Sequence, residues 1–346
     1  MPWTRVLLGE SDIQRFSAEG LRCITYAEAL REAQQQAMAA DPRVFIMGEG
    51  VDDPGGIFGS TRGLAQEFGE RVMDLPIAEN GMTGVAIGAA AAGMRPIFVH
   101  MRTDFLPMAM DQLVNHAAKW HYMSGGQVRV PLVVRSIIGR GWGSAAQHSQ
   151  GLHSLFLSVP GLKLAMPATA YDAKGLLLAA LADENPVLLF EHRWIYGSVG
   201  VVPEEPYTVP LGQAVVRREG TDVTVVALSH MVYEAAKAAD ALQGRGISVE
   251  IVDPRCLRPL DMDTIAASVA RTGRLVIADV ACRTAGLGAE IACRLAERNP
   301  GLLKAPLRRI SFPDAPTPAS PVLEAAYYPG SEQIAQAILE LTEGPA

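Results

Sequence analysis

Short, uninterrupted apolar runs alternate with stretches of helical period along most of this chain, and that alternation limits the possible folds more than any other feature. The runs at 44–47, 96–99, 130–138, 162–166 and 187–191 carry almost no polar residue at alternate positions. They read as strands covered on both faces, and strands of that kind belong to parallel sheets. Helical segments lie between several of them. One starts at the capping box Thr25-Tyr26-Ala27-Glu28 and runs to about Ala39; others cover 62–68, 84–92, about 106 to 123, and 170–182. Parallel strands need crossover connections, and helices supply them, so the fold class expected is α/β and doubly wound. Between 196 and 213 the pattern lapses into a stretch with three prolines, which reads as a linker. Beyond it the alternation restarts, with strands at 223–228, 249–252, 275–280 and 307–312 and helices at 232–243, 262–271, 287–297 and 331–341. The expected organisation is an N-terminal extension (1–22), a first domain (23–197), a linker (198–213) and a second domain (214–346).

A chain of 346 residues, 49% hydrophobic and 19% charged, can bury the cores of two such domains. Its net charge of −7 gives no electrostatic reason to bind nucleic acid or an anionic membrane. Cys23, Cys256, Cys282 and Cys293 are far apart and show no metal or redox spacing, as suits thiols kept reduced. The longest apolar run, from Val85 onward, is cut by Arg95-Pro96 and is too short to span a bilayer. The N-terminal residues lack the pattern of a secretory or transit segment. A cytoplasmic protein is expected.

Three residues of the first domain stand at strand ends or in the loops after them. Glu79 follows the short strand 73–77 and precedes a helix of Gly, Ala, Val and Ile, which other backbone can approach closely. A carboxylate fixed in such surroundings suits proton chemistry; it also suits a helix N-terminus, whose dipole favours negative charge. Phe105 and His148 lie in later loops, and a lone histidine in a polar loop such as His148 is more often a solvated side chain than a catalyst. In open parallel sheets the carboxyl ends of strands converge on one crevice, so a carboxylate, an aromatic and an imidazole there would suit a flat heterocycle. Other readings fail. Gly139-Arg140-Gly141-Trp142-Gly143 lacks the full dinucleotide spacing, and Gly286-Leu287-Gly288 offers only two glycines. His116 with His121, and His148 with His153, are five apart and share no helical face, which argues against zinc.

The runs DLPIAENGMTGVAIGAAAAGMRPI, DFLPMAMDQLVNHAAKWHYMSGG and AAQHSQGLHSLFLSVPGLKLAMPATAYDAKGLLLAALADENPVLLFE, continued by VDPRCLRPLDMDTI, RLVIADV, GLGAEIA and PTPASPVLEAAYYPG, closely resemble the β subunit of thiamine-diphosphate-dependent 2-oxo acid dehydrogenases. These are the E1 components of pyruvate, branched-chain and acetoin dehydrogenase complexes, in the transketolase superfamily. The resemblance covers nearly the whole chain after about residue 23. It implies a pyrimidine-binding domain followed by a transketolase C-terminal-like domain. Glu79 matches the position whose carboxyl group hydrogen-bonds N1′ of the cofactor aminopyrimidine, which turns the 4′ nitrogen into a base for the thiazolium C2 proton. Ile77, Met101 and Phe105 match apolar positions around that pyrimidine. His148 matches an active-site histidine that can donate to a substrate oxygen or assist acyl transfer. Leu132, Ala180, Leu181, Asp183 and Asn185 fall where some members bind a structural monovalent cation such as K+; the same residues read equally as a helix C-terminus.

The chain has no Gly-Asp-Gly followed by an Asn, the family signature for Mg2+ and the diphosphate. The resemblance therefore implies an α subunit that binds both and shares the thiamine diphosphate, an α2β2 assembly, and a lipoyl acyltransferase E2 as acceptor. A small 2-oxo acid is the implied substrate. Arg102-Thr103-Asp104, Trp142 and His153 depart from the commoner pattern on the presumed substrate side. Two other readings are a split transketolase-like carboligase and a non-catalytic scaffold; the intact Glu79 and His148 argue against the scaffold.

Overall fold

The computed structural model describes residues 1–139 and 143–343. Seven strands form the first sheet, in the order Cys256–Arg258, Lys163–Ala165, Val187–His192, Val133–Ile138, Arg95–His100, Val44–Gly48, Val72–Asp74. The six strands from the first half of the chain pair in parallel, and the central ones are buried at every position. The continuous apolar runs follow from this, because helices cover both faces. Helix Tyr26–Ala40 begins where its capping box places it: Thr25 Oγ1 accepts from the Glu28 N–H at 3.2 Å, and the Glu28 carboxylate accepts from the Thr25 N–H at 2.8 Å. Helix Ala170–Ala182 packs against it.

The second sheet has five strands, ordered Arg308–Phe312, Leu275–Cys282, Val223–Ala227, Val249–Asp253, Val215–Arg218. All pair in parallel except Val215–Arg218. The α/β class and its two sheets are those expected.

Several local expectations are corrected. The helix expected from about 106 to 123 is a 3-10 segment Thr103–Ala109, a π segment Gln112–Ala117 and one α turn Trp120–Met123. Pro107 lies inside the first segment, and its ring and missing N–H do not allow a continuous α ladder. The strand expected at 73–77 stops at Asp74. The stretch expected to be a plain linker contains strand Val199–Val201, which pairs antiparallel with Cys23–Thr25. Cys256–Arg258 leaves the second half of the chain to pair antiparallel with Lys163–Ala165 in the first sheet. The N-terminal extension contains helix Glu10–Ala18.

The two halves are tied by buried charge as well as by this strand. Asp172, on helix Ala170–Ala182, pairs with Arg217 and with Arg255 (3.1 Å), and Arg217 also holds Asp253 at 2.7 Å. His153 Nε2 meets Asp279 Oδ1 at 3.0 Å with both side chains buried. Among the described residues no helix is long and apolar enough to cross a membrane.

Candidate active site

Strand Val44–Gly48 pairs with Val72–Asp74 on one side and with Arg95–His100 on the other. The chain thus reverses its winding direction at Val44–Gly48, and a crevice opens at the carboxyl ends of these strands. A cavity of about 380 Å³ lies there. It is lined by Glu49, Glu79, His100, Arg102 and His148 among polar residues, and by Phe58, Met101 and Phe105 among apolar ones.

Glu79 is the first residue of helix Glu79–Ala91 and is 9% exposed. Thr83 Oγ1 donates to the Glu79 carbonyl at 2.6 Å and faces His100 Nε2 at 3.4 Å, so the first helical turn is braced against the neighbouring strand. Among the described residues no donor reaches the Glu79 carboxylate, which is left facing the cavity. Glu49 follows the end of its strand and lines the same cavity; burial, and then the negative charges of Glu79 and Asp74, push its carboxyl above the usual range. His100 is fully buried, and desolvation lowers its imidazole to about 4, so it is neutral near pH 7.

The loop that carries His148 is set by Asp104. Its Oδ1 accepts from the backbone N–H groups of Ser149 and Gln150, both at 3.1 Å, and from the Gln150 side chain at 2.9 Å. Burial raises the Asp104 carboxyl. The loop then runs flush against the second half of the chain: a Cβ on Gly151 would lie 1.9 Å from the Val280 carbonyl oxygen, so only glycine fits there. His148 meets Phe105 edge to face, with ring centres 5.2 Å apart.

Glu79, Met101, Phe105 and His148 are therefore brought to one cavity. Ile77 is not; it is 80% exposed in the turn before the helix and does not line the cavity. Of the departures among the described residues, Arg102 alone lines the cavity. Thr103 is buried and shares a 2.9 Å hydrogen bond with Ser136, Asp104 fastens the loop, and His153 is the buried partner of Asp279, all of them structural. Trp142 lies outside the described residues, as do Arg140 and Gly141 of the 139–143 loop.

Of the five residues weighed as a cation site, Leu132, Ala180, Leu181 and Asp183 have oxygens that accept hydrogen bonds. Leu132 O accepts from the Val187 N–H at 2.9 Å and Ala180 O from the Asp183 N–H at 3.2 Å. The Arg95 guanidinium donates to the carbonyls of Leu181 (2.9 Å) and Asp183 (3.2 Å). The Asp183 carboxylate holds Lys163 and the Asn185 N–H. Two side-chain cations, Arg95 and Lys163, thus lie at these oxygens at the C-terminus of helix Ala170–Ala182. Among the described residues no three His, Cys, Asp or Glu side chains cluster as metal ligands.

Glu49, Phe58 and His100 were missed at the sequence level. Glu49 carries the same signal as Glu79, a carboxylate at a strand end, but it opens the glycine-rich loop 48–61. His100 closes an otherwise apolar strand, where an imidazole reads as a satisfied core residue.

Residues 22–198 match the transketolase pyrimidine-binding domain and residues 212–334 the transketolase C-terminal domain. A solved structure described as a split gene transketolase, an inactive β4 tetramer, superposes with a TM-score of 0.75 over 92% of this chain and 98% of its own, at 23% identity. That likeness concerns the fold alone. Among curated proteins, the chain is 46% identical to the acetoin:2,6-dichlorophenolindophenol oxidoreductase subunit beta of Bacillus subtilis, covering 94% of this chain and 99% of that one. It is 44% identical to the pyruvate dehydrogenase E1 component subunit beta of Rickettsia felis (91% and 97% covered). The 2-oxoisovalerate dehydrogenase subunit beta of Bacillus subtilis is 41% identical (92% and 99% covered). The chain belongs to the E1 β-subunit family of the 2-oxo acid and acetoin dehydrogenases, thiamine-diphosphate proteins built from the two transketolase domains. The relatives' designation as beta subunits implies an alpha subunit.

Proposed function

We propose that this chain is the β half of a thiamine-diphosphate E1 enzyme that decarboxylates a small 2-oxo acid and passes the acyl group to a lipoyl acyltransferase. The observation that carries this reading is the Glu79 carboxylate, buried at a helix start, facing the cavity, with no protein donor among the described residues. An acceptor so placed fits a donor on an incoming ring, and a carboxyl group against a ring nitrogen is what an aminopyrimidine needs. Glu79 would hold that nitrogen, with Met101, Phe58 and Phe105 enclosing the ring. When bound, thiamine diphosphate supplies an acidic carbon and an electron sink for loss of carbon dioxide.

The protein's own part is positional and electrostatic. Glu79 fixes the proton at the ring nitrogen, the apolar walls exclude water, and His148, held against Phe105 by the Asp104 anchor, stands ready to donate to a substrate oxygen. The diphosphate and Mg2+ are assigned to the α subunit, because this sequence lacks their signature. Ile77 and Val85 (80% and 55% exposed), with Met108 (60%) on the neighbouring turn, offer apolar surface for that subunit to cover. The assembly proposed is α2β2.

The test uses the complex reconstituted with its α subunit. Carbon dioxide release from pyruvate and 2-oxoisovalerate, and acyl transfer to a lipoyl domain, are expected to fall at least about 100-fold in Glu79→Gln and in His148→Ala. Undiminished turnover in both variants would overturn the reading, and products formed only with an added aldehyde would reassign the acceptor.

A further inference from the structure

The cavity wall carries both signs of charge. The charges of Glu49 and Glu79 act on each other, and Arg102 lies beside the His148 loop. Arg102 stands where the resemblance leads one to expect an apolar or aromatic side chain. Its guanidinium makes a long contact to the His148 carbonyl (3.4 Å) and lies 5.8 Å from the centre of the Phe58 ring. Among the described residues no carboxylate is within ion-pair distance of it, and Asp104, whose carboxyl feels its charge, spends its Oδ1 on Ser149 and Gln150. Gly139, which has no side chain, leaves room beside Arg102. A Cβ on Gly139 would lie 2.7 Å from Arg102 Nη1 and 3.4 Å from Arg193 Cβ. Arg193 also stacks over Phe58, at 4.3 Å. Two guanidinium groups thus share one aromatic ring, which Phe58 presents from a left-handed backbone conformation (φ 49°).

A guanidinium in the wall of a partly enclosed cavity, without a protein carboxylate, gains most from an anion that enters it. We propose that Arg102 recognises a carboxylate of the substrate, so that the cavity takes an anionic 2-oxo acid in preference to a neutral acyloin such as acetoin. This rests on the function proposed above and chooses among the substrates that the relatives' names span. The carboxylate has two sources, the group lost as carbon dioxide or a second one further along the substrate. Gripping the departing group would stabilise the ground state and oppose its loss, whereas a distal carboxylate is held equally throughout.

The experiment compares pyruvate, 2-oxoglutarate and acetoin in the reconstituted complex with wild type, Arg102→Gln and Arg102→Lys. The ratio of kcat/KM for the preferred acid over acetoin is expected to fall about 10- to 100-fold in Arg102→Gln, mainly through KM, with partial recovery in Arg102→Lys. The larger loss, for pyruvate or for 2-oxoglutarate, identifies which carboxylate is held. In the wild type, KM for the acids rises with salt and KM for acetoin does not. A wild-type preference for acetoin, or an equal loss for all three in Arg102→Gln, would overturn the proposal. Calorimetric binding of 2-oxoglutarate and pyruvate separates this from failure of the broader reading, because it needs no turnover. Acid binding that weakens in Arg102→Gln supports the assignment even if the reaction proves different, and acid binding that is absent in the wild type or unchanged in the variant contradicts it.

Discussion

Glu79 and His100 have opposite chemistry because of what surrounds each. Glu79 sits where a helix N-terminus tolerates negative charge and its carboxylate faces a cavity. His100 is buried where it borders the same cavity, 4.3 Å ring to ring from Phe98, with the Thr83 hydroxyl opposite its Nε2. Its imidazole, lowered from 6.5 to about 4 by burial, binds protons less well folded than unfolded. The stability this contributes is fully present above 6.5 and is lost as pH falls toward 4. Urea unfolding of the wild type at pH 7 and pH 5 should therefore show a loss from this residue of roughly 2 kcal/mol, and His100→Gln should show that much less pH dependence over the interval. Identical pH dependence in both proteins would contradict the assignment. At this scale the meeting of Glu79, Phe105 and His148 at one cavity was legible because parallel sheets bring their strand ends to one crevice. Ile77 was misplaced because the strand was read three residues too long. Arg102 showed in the sequence only as a departure, since an isolated charge gives no sign of the cavity it faces.

Elements explain how the walls are held. The glycine-rich loop 48–61 reaches the cavity with Phe58 and is fastened from below by a buried pair. Arg135, on strand Val133–Ile138, and Glu191, on strand Val187–His192, are both fully buried and meet at 2.6 and 2.9 Å. Arg135 also donates to Gln34 Oε1 (2.9 Å) and to the Ser60 hydroxyl (2.8 Å), while Tyr196 donates to Glu191. Every charge there is answered, so removing one partner leaves a buried ion uncompensated. Glu191→Gln should cost about 3–5 kcal/mol in chemical denaturation and should weaken cofactor binding through the Ser60 loop; a change below about 1 kcal/mol would contradict this network's role. Continuous apolar runs made the central strands legible. The 106–123 segment was not, because Met110, Leu113, Val114 and Ala117 keep a helical spacing that Pro107 and the Asp104 anchor prevent the backbone from following. Arg95 at the end of helix Ala170–Ala182 was likewise invisible, since its contacts join residues 86 and 88 apart.

The whole molecule is two α/β units locked across their boundary by strand Cys256–Arg258, by the Asp172–Arg217–Asp253–Arg255 cluster and by the His153–Asp279 pair. Three residues of strand and a few isolated charges carry no periodic signal, so the restart of the alternation revealed two domains while their fastening stayed hidden. The consequence for function is that Gly151 and the His148 loop rest on the second domain, and the cavity is shaped by both halves. The central proposal concerns a shared site, in which Glu79 is the acceptor for the pyrimidine of a cofactor whose diphosphate is held by the α subunit. The most direct measurement is deuterium exchange at thiamine diphosphate C2 in the complex with the α subunit, comparing wild type with Glu79→Gln at equal cofactor occupancy. Exchange that slows at least about 100-fold in the variant, with the complex intact, is the result expected. Exchange at the wild-type rate in Glu79→Gln would contradict it.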